Sequence, residues 1–370
     1  MSRQLSVTSY PKIILFLILA AGCWLLAAGS SFAQDLPPEE TLEGKVIDIL
    51  QEKEMETEQG KILSQRLEFL VTRGSKKGER IIFDAETFPE KSPIKYKKGN
   101  RLLITYTKDF EGKEMYLVTD FIRRRVLLLL FSIFVLLTLF VARWQGLTSL
   151  IGMGLSFLVI LKFVLPQLLL GKSPLLVATL ASLVLIPITF YLSHGLNKKT
   201  TVSVVATLIA LFVTIGLATL FTALAKLSGL VSEEAGFIQN ITEQNLNVRG
   251  LLLAGIIIGS IGILDDITIA QAAVVEKLSQ AKKLGVKRLC RQAMEVGRDH
   301  VASMVNTLVL VYTGASLPLL LLFINNPHPF AEVVNYEIVA EEIIRTLVSS
   351  IGLILAVPIT TFLAAAVSDR

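Results

Sequence analysis

The chain has 370 residues, 52% hydrophobic and 18% charged, with a formal net charge of +5 and a mean hydropathy of +0.62. Charged residues alone run near 25% in ordinary soluble proteins, so the composition excludes that class and points to a polytopic membrane protein. The modest positive balance carries no nucleic-acid motif, and the two cysteines, Cys23 and Cys290, exclude a disulfide framework or a cysteine-based metal site.

Residues 1–33 read as a secretory signal peptide. Arg3 and Lys12 supply the basic start, Ile13 to Ala28 the apolar core, and Ser31 and Ala33 the small residues before Gln34. An uncleaved signal anchor is the rival reading. "LAAGC", ending at Cys23, has the outline of a lipoprotein box, but Ala20 stands where a larger aliphatic residue is wanted and apolar "WLLAAG" follows.

Residues 34–124 are patterned as a small extracytoplasmic all-β domain. "KVIDIL", "RLEFLVTRG", "RIIFDA", "NRLLITYT" and "EMYLVTDFI" are short β-branched and aromatic runs separated by "GSKKG", "KKGN" and "DFEG". Leu67, Phe69 and Val71 alternate with Glu68, Leu70 and Thr72, so one face is buried. Five such strands predict an OB-like barrel or a sandwich. It serves either as a ligand-capturing sensor or as a folded cap, and no aromatic row or charge cluster marks a binding site.

From 125 to 370 the chain reads as a transmembrane helical domain. Runs long enough to span a bilayer fall at about 126–142, 147–170, 174–193, 202–225, 248–265, 301–324 and 344–365, which makes seven helices. The loop after the fifth run carries Lys277, Lys282, Lys283, Lys287, Arg288, Arg291 and Arg298, and "NKKT" adds Lys198 and Lys199. Glu233, Glu234, Glu243, Glu332, Glu337, Glu341 and Glu342 populate the opposite loops. Basic residues mark the cytoplasmic side. The expected location is therefore the plasma membrane, with the N-terminal domain outside and the C-terminus in the cytoplasm. Arg123, Arg124 and Arg125 run against this pattern, which a domain translocated whole tolerates.

The informative stretch is "GSIGILDDITIAQA". Gly255, Gly259 and Gly262 form a glycine face for close helix packing, and it ends at Asp265 and Asp266. A carboxylate at the centre of a membrane helix costs roughly 2.5–3.5 kcal/mol, so the pair is wetted from one end or held in a polar environment made by the protein. Asp265, Thr268 and Gln271 fall about 60° apart around a helix and make a polar strip; Asp266 points about 100° away from Asp265. In the sixth run Asp299, Ser303, Asn306 and Thr313 share a stripe with Leu310, flanked by His300 and Thr307. The sharper reading sets this stripe across a polar cavity from the Asp265–Gln271 strip; the plainer one is interhelical hydrogen bonding. Carboxylate, amide and hydroxyl oxygens suit a hard cation, and a sheltered carboxylate suits a proton relay.

Enzyme chemistry finds little support. Adjacent Asp265 and Asp266 cannot close together as an aspartyl-protease pair does. His194, His300 and His328 are scattered singly, and there is no phosphate loop or Gly-x-Ser-x-Gly. No metal or other cofactor is expected.

Three segments carry a resemblance: "LLLAGIIIGSIGILDDITIAQAAVV", "VGRDHVASMVNTLVLVYTGASLPLLLLF" and "RTLVSSIGLILAVPITTFLAA". The chain resembles the YibE/F-like family of polytopic membrane proteins over about Val46 to Phe362. Many relatives have a single aspartate at the place of Asp266; this chain resembles the subgroup with two, followed by residues matching Thr268 and Gln271. "GRDH", "NTL" and "GASLP" correspond to Gly297–His300, Asn306–Leu308 and Gly314–Pro318. The resemblance implies an integral membrane protein of unassigned activity, sometimes suspected of transport, and transfers no substrate.

The expected function is a permease or secondary transporter of a small solute or ion. Asp265 and Asp266 bind or relay the cation, and Thr268, Gln271, Asp299, His300, Ser303, Asn306 and Thr307 line its path. The alternative is a membrane scaffold or sensor whose outer domain binds a partner. The expected partners are the lipid bilayer and a small solute or cation, and a homo-oligomer stays open.

Overall fold

The computed structural model describes residues 40–57, 60–86, 95–108, 114–230, 247–281, 284–324 and 329–368. The expected signal segment, Glu233, Glu234, Glu243 and His328 lie outside the described residues. The chain divides into two compact units, one ending at Leu137 and the other beginning at Thr138.

The first unit is an antiparallel half-barrel of five strands: β1 (Glu40–Thr57), β2 (Gly60–Arg73), β3 (Arg80–Glu86), β4 (Arg101–Lys108) and β5 (Glu114–Phe121). The strand order is β3-β2-β1-β4-β5. Period-two patterning decides which side is inside: along β2, Leu63, Gln65, Leu67, Phe69 and Val71 are buried. They meet Leu42, Val46, Phe83, Leu102 and Ile104 in one core. The outer strands β3 and β5 are not hydrogen-bonded neighbours. Phe83 and Tyr116 meet between them, with ring centroids 6.2 Å apart. The one buried amide is fully used: Gln65 accepts from the Tyr96 N–H at 2.7 Å and donates to the Tyr96 carbonyl at 3.3 Å. This tethers the segment leading into β4.

The rest of the described chain is helical, and its first helix begins within the first unit, before Leu137. Helix α1 (Arg124–Val159) breaks at Arg143 (φ 51°, ψ −125°) and continues through a π-helical turn (Ile160–Val164) into α2 (Leu165–Leu169). Then come α3 (Pro174–His194), α4 (Lys198–Leu224), α5 (Val248–Ala281), α6 (Val286–Ala315), α7 (Leu317–Ile324), α8 (Phe330–Val333) and α9 (Glu337–Ser368). Local chemistry sets several of these ends. Pro174 opens α3, and Asn197 caps α4 by accepting the Thr200 N–H at 2.8 Å.

Among the described residues, five helical runs are long and apolar enough to cross a membrane: Arg124–Leu169, Pro174–His194, Lys198–Leu224, Val248–Ala281 and Glu337–Ser368. This differs from the seven expected in two places. The expected spans 126–142 and 147–170 both fall within the first run, on either side of the break at Arg143; a Cβ at Gly146 would fall 2.5 Å from the Thr138 carbonyl oxygen. The expected span 301–324 is divided at Ser316 between α6 and α7. What remains of it in α6 is too polar on one side to qualify.

Helices α4, α5 and α9 form the centre of this unit. Ala210, Leu211, Ile257, Leu264, Leu353, Ala356 and Val357 supply its largest apolar cluster. Small residues set the helix separation. A Cβ at Gly352 of α9 would fall 2.1 Å from Thr214 Oγ1 of α4, so these two helices meet at a distance only glycine allows.

Candidate functional site: an acidic pair beside a buried hydroxyl seam

The 34 residues of α5 extend about 51 Å at 1.5 Å per residue, and Asp265 and Asp266 sit at its midpoint. Asp265 is half-buried and Asp266 exposed. Neither carboxylate has a hydrogen-bond or ion-pair partner among the described residues. Asp266 interacts electrostatically with His194, the last residue of α3, and His194 with Lys199 in the first turn of α4.

Cross-helix contacts fix the level of the pair. Thr268 Oγ1 lies 2.7 Å from Thr207 Oγ1, and Ser203 Oγ donates to the Thr268 carbonyl at 3.4 Å. Two turns further along α5, Glu276 pairs with Lys199 at 3.6 Å. Ser203 is four residues, about 6 Å, inside the lysine that begins this end of α4. The pair therefore lies about three turns inside the level of the Lys199–Glu276 ion pair at the basic end of the helical unit. Here neighbouring side chains cover Asp265 more than Asp266.

The Asp265–Thr268–Gln271 strip does not face one partner. Thr268 turns to α4. Gln271, fully buried, donates to the Ala293 carbonyl of α6 at 3.0 Å and to Thr361 Oγ1 of α9 at 2.7 Å. Its Oε1 is buried with no partner among the described residues. A Cβ at Gly297 would fall 2.7 Å from Val357 Cγ1 and 3.1 Å from Gln271 Nε2, so Gly297 of the "GRDH" element lets α6 close over the glutamine. Three helices thus meet at Gln271.

Thr268 and Gln271 belong to a longer seam of buried hydroxyls between α4, α5 and α9. Ser203, Thr207, Thr214, Ser260, Ser349, Thr360 and Thr361 are all almost completely buried. Ser260 and Ser349 touch at 3.1 Å across α5 and α9. Most of these hydroxyls also donate to the carbonyl one turn back, as Thr214 does to Ala210 and Thr360 to Ala356, so the seam is polar yet internally satisfied. The sequence reading took its two members on α5 and missed those on α4 and α9. A signal was present: Thr200, Ser203, Thr207 and Thr214 recur at helical spacing, as do Ser349, Ala356 and Thr360.

The α6 stripe lies elsewhere. Asp299, Ser303, Asn306, Thr307 and Thr313 are exposed. The side of α6 that packs on the core carries Met304, Val305, Leu308 and Tyr312. The stripe and the Asp265–Gln271 strip are therefore not brought face to face. The reason is amphipathicity: the apolar side of α6 takes the inner position. His300 is half-buried, with Nδ1 buried and unpartnered. Gly255, Gly259 and Gly262 are exposed too; a Cβ at Gly255 or Gly262 would meet nothing within 4 Å, and one at Gly259 only the Tyr312 hydroxyl at 3.8 Å. Close helix approach is seen instead at Gly297, at Gly352 and at Gly250, where a Cβ would fall 2.9 Å from the Pro174 ring. Among the described residues no group of three His, Cys, Asp or Glu side chains is placed to hold a metal ion.

The half-barrel presents one organised polar cluster. Lys76 Nζ donates to Glu114 at 2.5 Å and to the Tyr116 hydroxyl at 2.8 Å, and lies 4.7 Å from the centroid of the Tyr106 ring. The hydrogen bond from Lys76, then that from Tyr116, holds the Glu114 carboxyl down at about 2; the bond to Glu114, then that to Tyr116, raises Lys76 above the ordinary lysine range. All four groups are partnered within the cluster.

Five helices long and apolar enough to cross a membrane, with an acidic pair halfway along one of them, place the chain in the class of multi-helix membrane proteins. The profile of the YibE/F-like protein family matches residues 130–370. The chain belongs to that family. The match covers the helical unit and leaves out the half-barrel. Comparison with curated proteins and with solved structures gives no match.

Proposed function

We propose that this chain is a permease or secondary transporter of a small solute or ion, with Asp265 and Asp266 as the groups that take up a cation or a proton. One observation carries the reading: two adjacent carboxylates stand halfway along a membrane-length helix with no counter-charge bonded to them among the described residues. Charged residues at such positions are costly and are retained for ion or proton handling. A carboxylate whose role was structural would be held in a pair, as Glu276 is by Lys199. Access is from the basic end, where His194 and Lys199 stand. By the distribution of lysine and arginine, that end is the cytoplasmic one. The hydroxyl seam beside Asp265 continues toward the acidic end and supplies oxygens for a desolvated ion. The exposed Ser303 and Asn306 face of α6 would be wetted or covered by a second copy.

The test is a cation and solute screen on the purified chain in proteoliposomes with a pH-sensitive dye inside. The proposal expects flux for at least one solute or ion, lost in Asp265→Asn or Asp266→Asn while both variants still insert and fold. Unaltered flux in both variants would overturn the role given to the pair.

A second reading, a sensor or scaffold, draws on the self-contained core of the half-barrel and its Lys76–Glu114 cluster. It expects little effect from Asp266→Asn and a large one from deleting residues 35–120.

A further inference from the structure

At the acidic end of the helical unit, α6, α7 and α9 line an open cavity of about 250 Å³. It lies far along α6 from the acidic pair: Tyr312 of its wall is at the level of Gly259, two turns beyond Asp265 and Asp266. Most of the wall is apolar, with Leu320 and Ile343 among its members. Its polar groups are few: the carboxylate of Glu342 and the hydroxyls of Tyr312, Thr313, Ser316 and Thr346. An apolar pocket with a small number of placed polar groups is the usual form of a small-molecule site, and this volume lies just under the usual range of ~300–1,000 Å³.

The charge of the wall selects the occupant. Arg345 bonds Glu341 at 2.7 Å and Glu342 at 3.2 Å, so one guanidinium is shared between two carboxylates. The triad keeps a net negative charge. Of the three, only Glu342 lines the cavity, and its side chain is 28% exposed. An anion is repelled there. A neutral hydrocarbon would leave the surplus carboxylate charge uncompensated and the hydroxyls without a partner from the ligand. A bare metal ion needs about six oxygen ligands, and an apolar wall cannot provide them. A cation with its own apolar body satisfies every part: charge toward Glu342, body against Leu320 and Ile343, and the Tyr312 ring for a cation–π contact.

We propose that this cavity binds a small organic cation, an ammonium group carried on an apolar body. The site does not depend on the transport reading of Asp265 and Asp266. The experiment uses the full chain in lipid nanodiscs and titrates it calorimetrically with benzyltrimethylammonium, with empty nanodiscs subtracted. Neopentylbenzene, the uncharged isostere, is the control. The proposal expects saturable binding of the cation, at least tenfold weaker binding of the isostere, and at least a tenfold loss of cation affinity in Glu342→Gln. Leu320→Trp fills the cavity with its charge intact and removes binding as well, which guards against a fold defect specific to Glu342→Gln. Asp266→Asn leaves binding within twofold, so this proposal and the transport reading fail separately. Equal binding of cation and isostere, no binding of the cation, or wild-type affinity in both Glu342→Gln and Leu320→Trp overturns it.

Discussion

The half-barrel and the helical unit handle polar groups in opposite ways. In the half-barrel the inside is large and dry: Leu42, Leu67, Phe69, Leu102 and Ile104 are completely buried, and the charges outside are tied in pairs such as Lys95–Glu52, Lys76–Glu114 and Arg124–Glu43. In the helical unit the outside is apolar and hydroxyl groups run through the inside, where helices meet through Gly297, Gly352, Ser260 and Ser349. Among the described residues its two most notable charges, Asp265 and Asp266, have no hydrogen-bond or ion-pair partner. The charges of the first unit are explained by its stability, whereas the acidic pair of the second is not, and for that reason it is read as functional.

The contrast breaks most readily at the cores. Phe69→Ala removes a fully buried ring, and the half-barrel loses about 3–5 kcal/mol. Denaturation followed by limited proteolysis should find the strands cleaved first and the helices still protected; simultaneous loss of both units would show that their cores are not independent. A smaller effect, about 1–3 kcal/mol, is expected in the helical unit from Gly352→Ala, because the new methyl overlaps Thr214 Oγ1. Thr214→Ala in the same chain removes the overlapping atom and restores most of the thermal midpoint. Without that rescue, the close approach of α4 and α9 does not limit packing.

The remaining two effects are slight. A double-mutant cycle of Gln271→Leu with Thr361→Val should return a coupling of about 0.6 kcal/mol, the ordinary size of a hydrogen bond between membrane helices. A coupling several times larger would make the Gln271 junction a principal stabiliser. The smallest effect is electrostatic. Glu114 has its carboxyl lowered from 4.5 to about 2 by Lys76 and Tyr116. A lowered carboxyl stabilises the fold above its unfolded value, and that stability drains as pH falls from 4.5 toward 2. Glu114 is 45% exposed, so water screens most of the gain. Acid titration of wild type and Glu114→Gln should differ slightly in that window and agree above it.

The parts written in a single period were legible in advance. Leu67, Phe69 and Val71 announced the buried face of β2, and the long apolar runs announced α3, α4, α5 and α9. The break expected between 142 and 147 falls at Arg143, where the backbone leaves helical geometry, whereas the division of the expected span 301–324 at Ser316 is not written in its apolar pattern. The acidic pair was visible because charge in a hydrophobic run stands out. Its surroundings were not, because a residue on one helix face does not name the helix it meets. Thr268 found Thr207 and Gln271 found Thr361, partners 61 and 90 positions away, while the conspicuous stripe of Ser303 and Asn306 turned outward.

The most direct measurement is ion-coupled flux in proteoliposomes holding wild type, Asp265→Asn, Asp266→Asn and the double variant at equal protein density. The account predicts that each single change lowers flux by at least tenfold, that the double variant is no worse than the more severe single one, and that the thermal midpoint of the helical unit is kept. Full flux in the double variant would contradict it.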